Sequence, residues 1–181
     1  MRVEEIEFVA WPERARQPEA RCLFTGSAAL HDAIAARLIA ATATRLPDVA
    51  FDLAGPVTRM LGSVPENVRL HRDVNLDLFR QALLGLSPTV EPAGGNDRVV
   101  EFVRAGLPVI ASPLSSRGFD PSLAACWLVC SPEPFRLRDA IVESLDWDWS
   151  GPVAEARRLV SERYDRGPAA QAALARASAN A

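Results

Sequence analysis

Residues 87–118 read SPTVEPAGGNDRVVEFVRAGLPVIASPLSSRG, and the order of signals inside that stretch decides the fold. A short apolar run over residues 83–87 is stopped by Pro88, and a loop of proline and glycine spans residues 89–96. Residues 97–105 then carry apolar side chains at helical spacing and end at Gly106, with Asn96 or Asp97 as the expected cap. LPVIA at 107–111 is a second apolar run of strand length. Strand, loop, helix and strand in that order form a βαβ unit, which lays two parallel strands into one sheet.

The same alternation continues outward. Towards the N-terminus, RCLFTG at 21–26 predicts a buried strand that ends at a glycine, and residues 29–45 predict a helix with Leu30, Ile34, Leu38 and Ile39 at helical spacing, closed by Pro47. VAFDLA at 49–54, NVRLH at 67–71 and a helical segment at 76–83 follow. Towards the C-terminus a loop over 112–121 leads into CWLVC at 126–130, then helices over 134–145 and 152–164 and an alanine-rich tail from Pro168. The expected class is α/β, a Rossmann-like three-layer domain whose mostly parallel sheet is flanked by helices, over residues 21–165. Residues 1–20, with VEEIEFV at 3–9, read as an edge strand or linker remnant, and residues 166–181 as a tail. In such sheets ligands bind beyond the carboxyl ends of the strands, so the loops at 26–29, 71–75 and 89–97 are the ones to watch.

Composition removes several chemistries. All twenty cationic side chains of the 181 residues are arginine, which excludes lysine Schiff bases, an internal pyridoxal aldimine, a P-loop lysine and a kinase strand lysine. Thirty alanines accompany that bias, and a GC-rich coding sequence explains both. A net charge of −3 lacks the basic excess of a general nucleic-acid binder. Three glutamates among residues 1–7 argue against a secretory signal, and no apolar run reaches the roughly 18 residues of a membrane span. Cytoplasmic residence is the expectation, with peripheral membrane contact left open. Cys22, Cys126 and Cys130 are an odd set that fits buried thiols in a reducing compartment better than disulfides or a metal site.

The 87–118 stretch resembles the donor-binding half of GT-B glycosyltransferases of the group 1 or family 4-like set. The features that carry the resemblance are Pro88, the glycine pair Gly94 and Gly95, Arg98 three residues before Glu101, and the run Ala105-Gly106-Leu107-Pro108-Val109-Ile110. LFTGS at 23–27, LPDVAFDLAG at 46–55, PENVRLH at 65–71 and ARRLVSERYD at 156–165 are similar to flanking elements of that domain, so the resemblance covers roughly residues 20–165. It implies a nucleotide-diphosphate sugar held by Gly94, Gly95, Asn96, Arg98 and Glu101, with Gly26, Ser27 and Arg72 on neighbouring loops. The chemistry is consistent with those residue types: glycines let backbone N–H groups at a helix N-terminus approach phosphate oxygens, and an arginine adds charge-assisted bonds. The resemblance also implies that Glu101 accepts hydrogen bonds from the ribose hydroxyls. The plain alternative for Arg98 and Glu101 is an i,i+3 surface ion pair.

The sequence also departs from the family pattern. The sugar-side glutamate of many retaining members falls on Ala93, and the nearest carboxylate, Glu91, opens a Glu-Pro-Ala-Gly turn that is similar to the family's with a two-residue shift, so the resemblance implies a sugar-side catalytic role for Glu91. In GSAALHDAIAAR, after the first strand, the family's arginine and lysine clamp has no counterpart: His31 is present and Arg37 comes too late. His71, a lone histidine at a strand end, reads as structural or as a donor-site imidazole. Arg72 and Asp73 read as solvated, and Trp147 and Trp149 as packing residues.

Taken together the expectation is a donor-binding domain that needs a separate acceptor-binding N-terminal domain or partner chain, with no cofactor, no metal and no nucleic acid. The alternative is a non-catalytic Rossmann-like module that binds a nucleotide or a protein. A response-regulator or flavodoxin-like domain is disfavoured by the missing lysine and acidic cluster.

Overall fold

Parallel pairing organises the chain. The computed structural model describes residues 19–91, 97–119, 123 and 126–163. Six strands form one sheet: β1 (Arg21–Thr25), β2 (Ala50–Ala54), β3 (Val68–His71), β4 (Leu84–Ser87), β5 (Val109–Ala111) and β6 (Trp127–Val129). Their order is β3-β2-β1-β4-β5-β6, and every neighbouring pair is parallel. Strands β2, β4 and β5 are buried at every position, which is why they read as continuous apolar runs with no alternation.

Among the described residues five α-helices cover the sheet: α1 (Leu30–Ala43), α2 (Leu76–Gln81), α3 (Asp97–Ala105), α4 (Pro134–Leu145) and α5 (Ser150–Arg163). From β1 the chain steps one way along the sheet to β2, and from β4 it steps the other way to β5. Right-handed crossovers therefore put α1 and α3 on opposite faces. The register defines the α3 face. A Cβ on Gly85 would lie 2.4 Å from the Phe102 ring of α3, and Gly85 is in register with Leu23 and Val109, Leu23 with Asp52, and Asp52 with Arg69. Helix α1 packs against α4, and α3 against α5.

Several expectations are corrected. The stripe of Leu30, Ile34, Leu38 and Ile39 does not form the core face of α1: Leu30 is 61 % exposed and only Ile39 of the four is fully buried. Ala33, Ala35, Ala36 and Ala43 face inward instead, and their small side chains let the helix lie close to the strands. Leu30 stands at the sheet's carboxyl edge, beyond the layer that would cover it. A short 3-10 helix, Pro56–Met60, follows β2 without having been anticipated. Cys126 and Cys130 flank β6 and do not belong to it, and the Cys126 thiol donates to the Leu123 carbonyl at 3.3 Å.

Trp149 is fully buried, with Nε1 donating to the Ser144 carbonyl at 2.8 Å, whereas Trp147 is 44 % exposed and leans on it at 5.1 Å. The expected packing role thus belongs to Trp149. The edge strand at 3–9 and the tail at 166–181 lie outside the described residues. Among those residues no helix is long and apolar enough to cross a membrane, and no cluster of His, Cys, Asp and Glu is suited to a metal ion.

Candidate functional site

The connections leave β1 and β4 in opposite directions, so a crevice opens beyond the carboxyl ends of these two strands. That switch point is where doubly wound sheets bind ligands. The N-terminus of α1 reaches it from one face and that of α3 from the other.

The β1 side is built by glycines. Gly26 N–H donates to the Ala54 carbonyl and Gly55 N–H to the His71 carbonyl, each at 2.9 Å, tying the ends of β1, β2 and β3 together. Gly55 has φ +98°, and a Cβ there would sit 2.5 Å from the Gly26 carbonyl oxygen. A Cβ on Gly26 would meet the Phe24 ring at 2.8 Å and Val57 at 2.9 Å. Packing under the 3-10 helix thus already calls for a glycine at Gly26, the residue expected beside the donor.

Ser27 and Arg98 meet through a residue the sequence reading did not name. Asp32, in the first turn of α1, accepts from Ser27 N–H and Ser27 Oγ, both at 2.7 Å on Oδ2, while Arg98 Nη2 donates to its Oδ1 at 2.5 Å. His31 Nε2 lies 3.8 Å from the same Oδ1. The Asp32 side chain is 5 % exposed and that of Arg98 16 %. Burial pushes the Asp32 carboxyl up, but the Arg98 charge and the bonds from Ser27 and Arg98 outweigh it and hold the group below the usual carboxylate range. The guanidinium also stacks over the Phe24 ring at 4.3 Å, and its Nε is buried without a hydrogen-bond partner among the described residues. Arg98 is therefore an inward-turned residue of the crevice and not one half of a surface pair.

The other expected residues are more dispersed. Glu101 lies one turn further along α3 and is half-buried. Arg72 is exposed directly after β3, two strand spacings or about 10 Å from β1. Glu91 is exposed in the loop after β4. Gly94, Gly95 and Asn96 lie outside the described residues. The start of that loop is pinned by buried hydroxyls: Ser115 Oγ donates to the Ser87 carbonyl and Ser112 Oγ to the Thr89 carbonyl, each at 2.6 Å.

A second polar group occupies the α3 face of β1–β3. Asp52, fully buried in β2, accepts from Arg21 Nη1 at 3.1 Å and lies 2.6 Å from His71 Nε2. Glu19 bridges Arg21 and Arg69. His71 is thus held by a structural carboxylate. The signal for this cluster was a lone aspartate inside AFDLA; the signal for Asp32 was an acid, where a cation was sought, in the first turn after the loop.

No protein-family model matches the chain, and no curated protein matches it in sequence. Solved structures do match. The spinosyn rhamnosyltransferase SpnG, complexed with thymidine diphosphate, superposes with a TM-score of 0.62 at 22 % identity, covering 86 % of this chain and 45 % of that one. S. aureus TarM, in a complex that includes UDP, gives a TM-score of 0.62 at 15 % identity over 91 % of this chain and 35 % of its own. Sucrose-phosphate synthase from Thermosynechococcus elongatus gives 0.60 at 17 % identity, over 91 % and 51 %. This chain spans 35–51 % of the length of such structures. At these identities the likeness is one of architecture: the chain has the fold of one half of a GT-B glycosyltransferase.

Proposed function

We propose that this chain is the donor-binding half of a glycosyltransferase, holding a nucleotide-diphosphate sugar for transfer to a saccharide or lipid-linked acceptor in polysaccharide or glycoconjugate assembly. The observation that carries the reading is the crevice at the β1/β4 switch point, where two helix N-termini, Ser27 and Arg98 converge. A diphosphate placed there meets oriented N–H dipoles and a guanidinium, the groups that best stabilise a departing phosphate. In the transfer the bond between the sugar's anomeric carbon and the β-phosphate oxygen breaks, the acceptor oxygen bonds that carbon, and the acceptor's proton passes to a base. Arg98 neutralises charge gathering on the leaving diphosphate, and Glu101 accepts from the ribose. The acceptor and the base belong to a second domain or partner chain. Glu91 retains a minor role near the sugar. No metal is needed where an arginine and helix dipoles meet the charge.

Calorimetry with UDP, GDP, TDP and their sugars tests this. Binding is expected, and Arg98→Ala with Glu101→Ala should weaken it by about 100-fold or more, since hydrogen bonds to charged groups contribute about 1.5–3 kcal/mol each. Absence of binding to the unaltered chain, or binding that survives both substitutions, refutes the reading. A second reading, a non-catalytic Rossmann-like module, is favoured by one observation: Asp32 already matches the charge of Arg98.

A further inference from the structure

We infer that Asp32 is a resident stand-in for the donor's diphosphate, a carboxylate of this chain that occupies the anion position of the crevice and must yield before a nucleotide can engage Arg98. The inference rests on the donor reading and specifies how that site is regulated. Its basis is the identity of the groups around Asp32. The carboxylate takes a loop N–H, a hydroxyl and a guanidinium, with an imidazole 3.8 Å away, a donor set that suits a phosphate oxygen equally well. An acid whose only task was to cap α1 would be complete with the two bonds from Ser27.

Arg98 is also incompletely used. Stacked on Phe24 and bonded to Asp32 through Nη2, it keeps a buried Nε with no acceptor among the described residues. A carboxylate on the short stem of Asp32 meets part of the guanidinium, and a tetrahedral phosphate with more oxygens can meet more of it. Arg98 is thus held in place by Phe24 and Asp32, and the exchange of Asp32 for phosphate sets how tightly a nucleotide binds.

Removing the competing charge should therefore tighten anion binding. Asp32→Asn is nearly isosteric, and Asp32→Ser serves as a smaller second variant; circular dichroism checks that each folds. Binding of UDP, inorganic pyrophosphate and uridine is measured by calorimetry for these and the unaltered chain. Both variants should bind UDP and pyrophosphate at least tenfold more tightly, uridine should be unaffected, and adding Arg98→Ala to Asp32→Asn should abolish the gain. Asp139→Asn, which removes an exposed carboxylate on α4, controls for net charge and should change nothing. An equal gain in that control overturns the inference. If the unaltered chain binds UDP and the Asp32 variants bind it no better, the inference fails and the donor reading stands. If no form of the chain binds UDP or pyrophosphate, the donor reading fails and the inference with it. The nitrogen-15 signal of Arg98 Nε–H in the unaltered chain gives a test free of substitutions: it should shift as UDP replaces Asp32, and a fixed signal at saturating UDP refutes the exchange.

Discussion

Replacing Gly85 by alanine tests how the sheet positions the crevice. The new Cβ would fall 2.4 and 2.5 Å from two ring carbons of Phe102 and 3.0 Å from its Cβ. Carbon atoms rest about 3.5–4.0 Å apart, so the overlap is about 1 Å. Rotating the ring does not relieve the Cβ contact, and Phe102 is fully buried with Phe79 beside it at 6.0 Å between centroids. Either α3 lifts or β4 bows. Overpacking of this kind costs about 1–3 kcal/mol, with the upper end expected because the clash reaches a helix-anchored atom. Loss of glycine's freedom in the unfolded chain returns up to about 1 kcal/mol. The net loss should be about 2 kcal/mol, or about 4–8 °C in Tm for a domain of this size.

Urea unfolding followed by circular dichroism measures it. Phe102→Leu should relieve part of the clash, so the double variant should lose about 1 kcal/mol less than the two single losses summed. Arg98 and Phe102 are four residues apart on one side of α3, so lifting the helix should also draw Arg98 from Asp32. Stability within about 0.5 kcal/mol of the original, or strict additivity in the cycle, would refute the assigned packing.

Two further outcomes follow from the buried carboxylates. Asp52→Ala removes the buried carboxylate that Arg21 and His71 share and leaves Arg21 with Glu19 alone among the described residues; breaking a buried pair costs about 3–5 kcal/mol. Because Arg21 and His71 are 16 % and 30 % exposed and can regain water, the loss in urea unfolding should be at the low end of that range. The second outcome concerns acid. The Asp32 carboxyl is lowered from 3.8 on folding, so its stabilising contribution is present above that value and disappears as pH falls through the folded-state value. Asp32→Asn should flatten the stability curve below about pH 4 without changing its slope above pH 6, and an unchanged acid limb would contradict the ion pair.

Much of the architecture was legible because parallel sheets announce themselves in short apolar runs closed by glycine or proline. Pro88 and Gly106 punctuated the chain where β4 and α3 end, and the expected bounds of α3 and α4 are those of the structure. What the periodicity missed in α1 has a physical cause. The helical spacing of large residues marks Leu30, Ile34, Leu38 and Ile39, whereas close approach to a sheet favours alanine, which in an alanine-rich chain carries no contrast. The site was only partly readable for a different reason. Ser27 and Arg98 were named from local motifs, but the residue joining them is 66 positions from Arg98 and becomes its neighbour only when the two crossovers fold to opposite faces. The charge that joins them is negative and sits in the first turn of α1, where the resemblance implies a cation.

The central place of β1 bears on how the chain is made. During synthesis β1 can pair with β2 once residue 54 has emerged, but its other edge has no partner until residues 84 and 85 arrive to face Cys22 and Leu23. Until then an apolar strand edge stands open, the kind of surface that recruits other unfinished chains. A ribosome that pauses between the codons for β3 and β4 would prolong that exposure, whereas one that pauses after β5 would find β1 already enclosed on both sides.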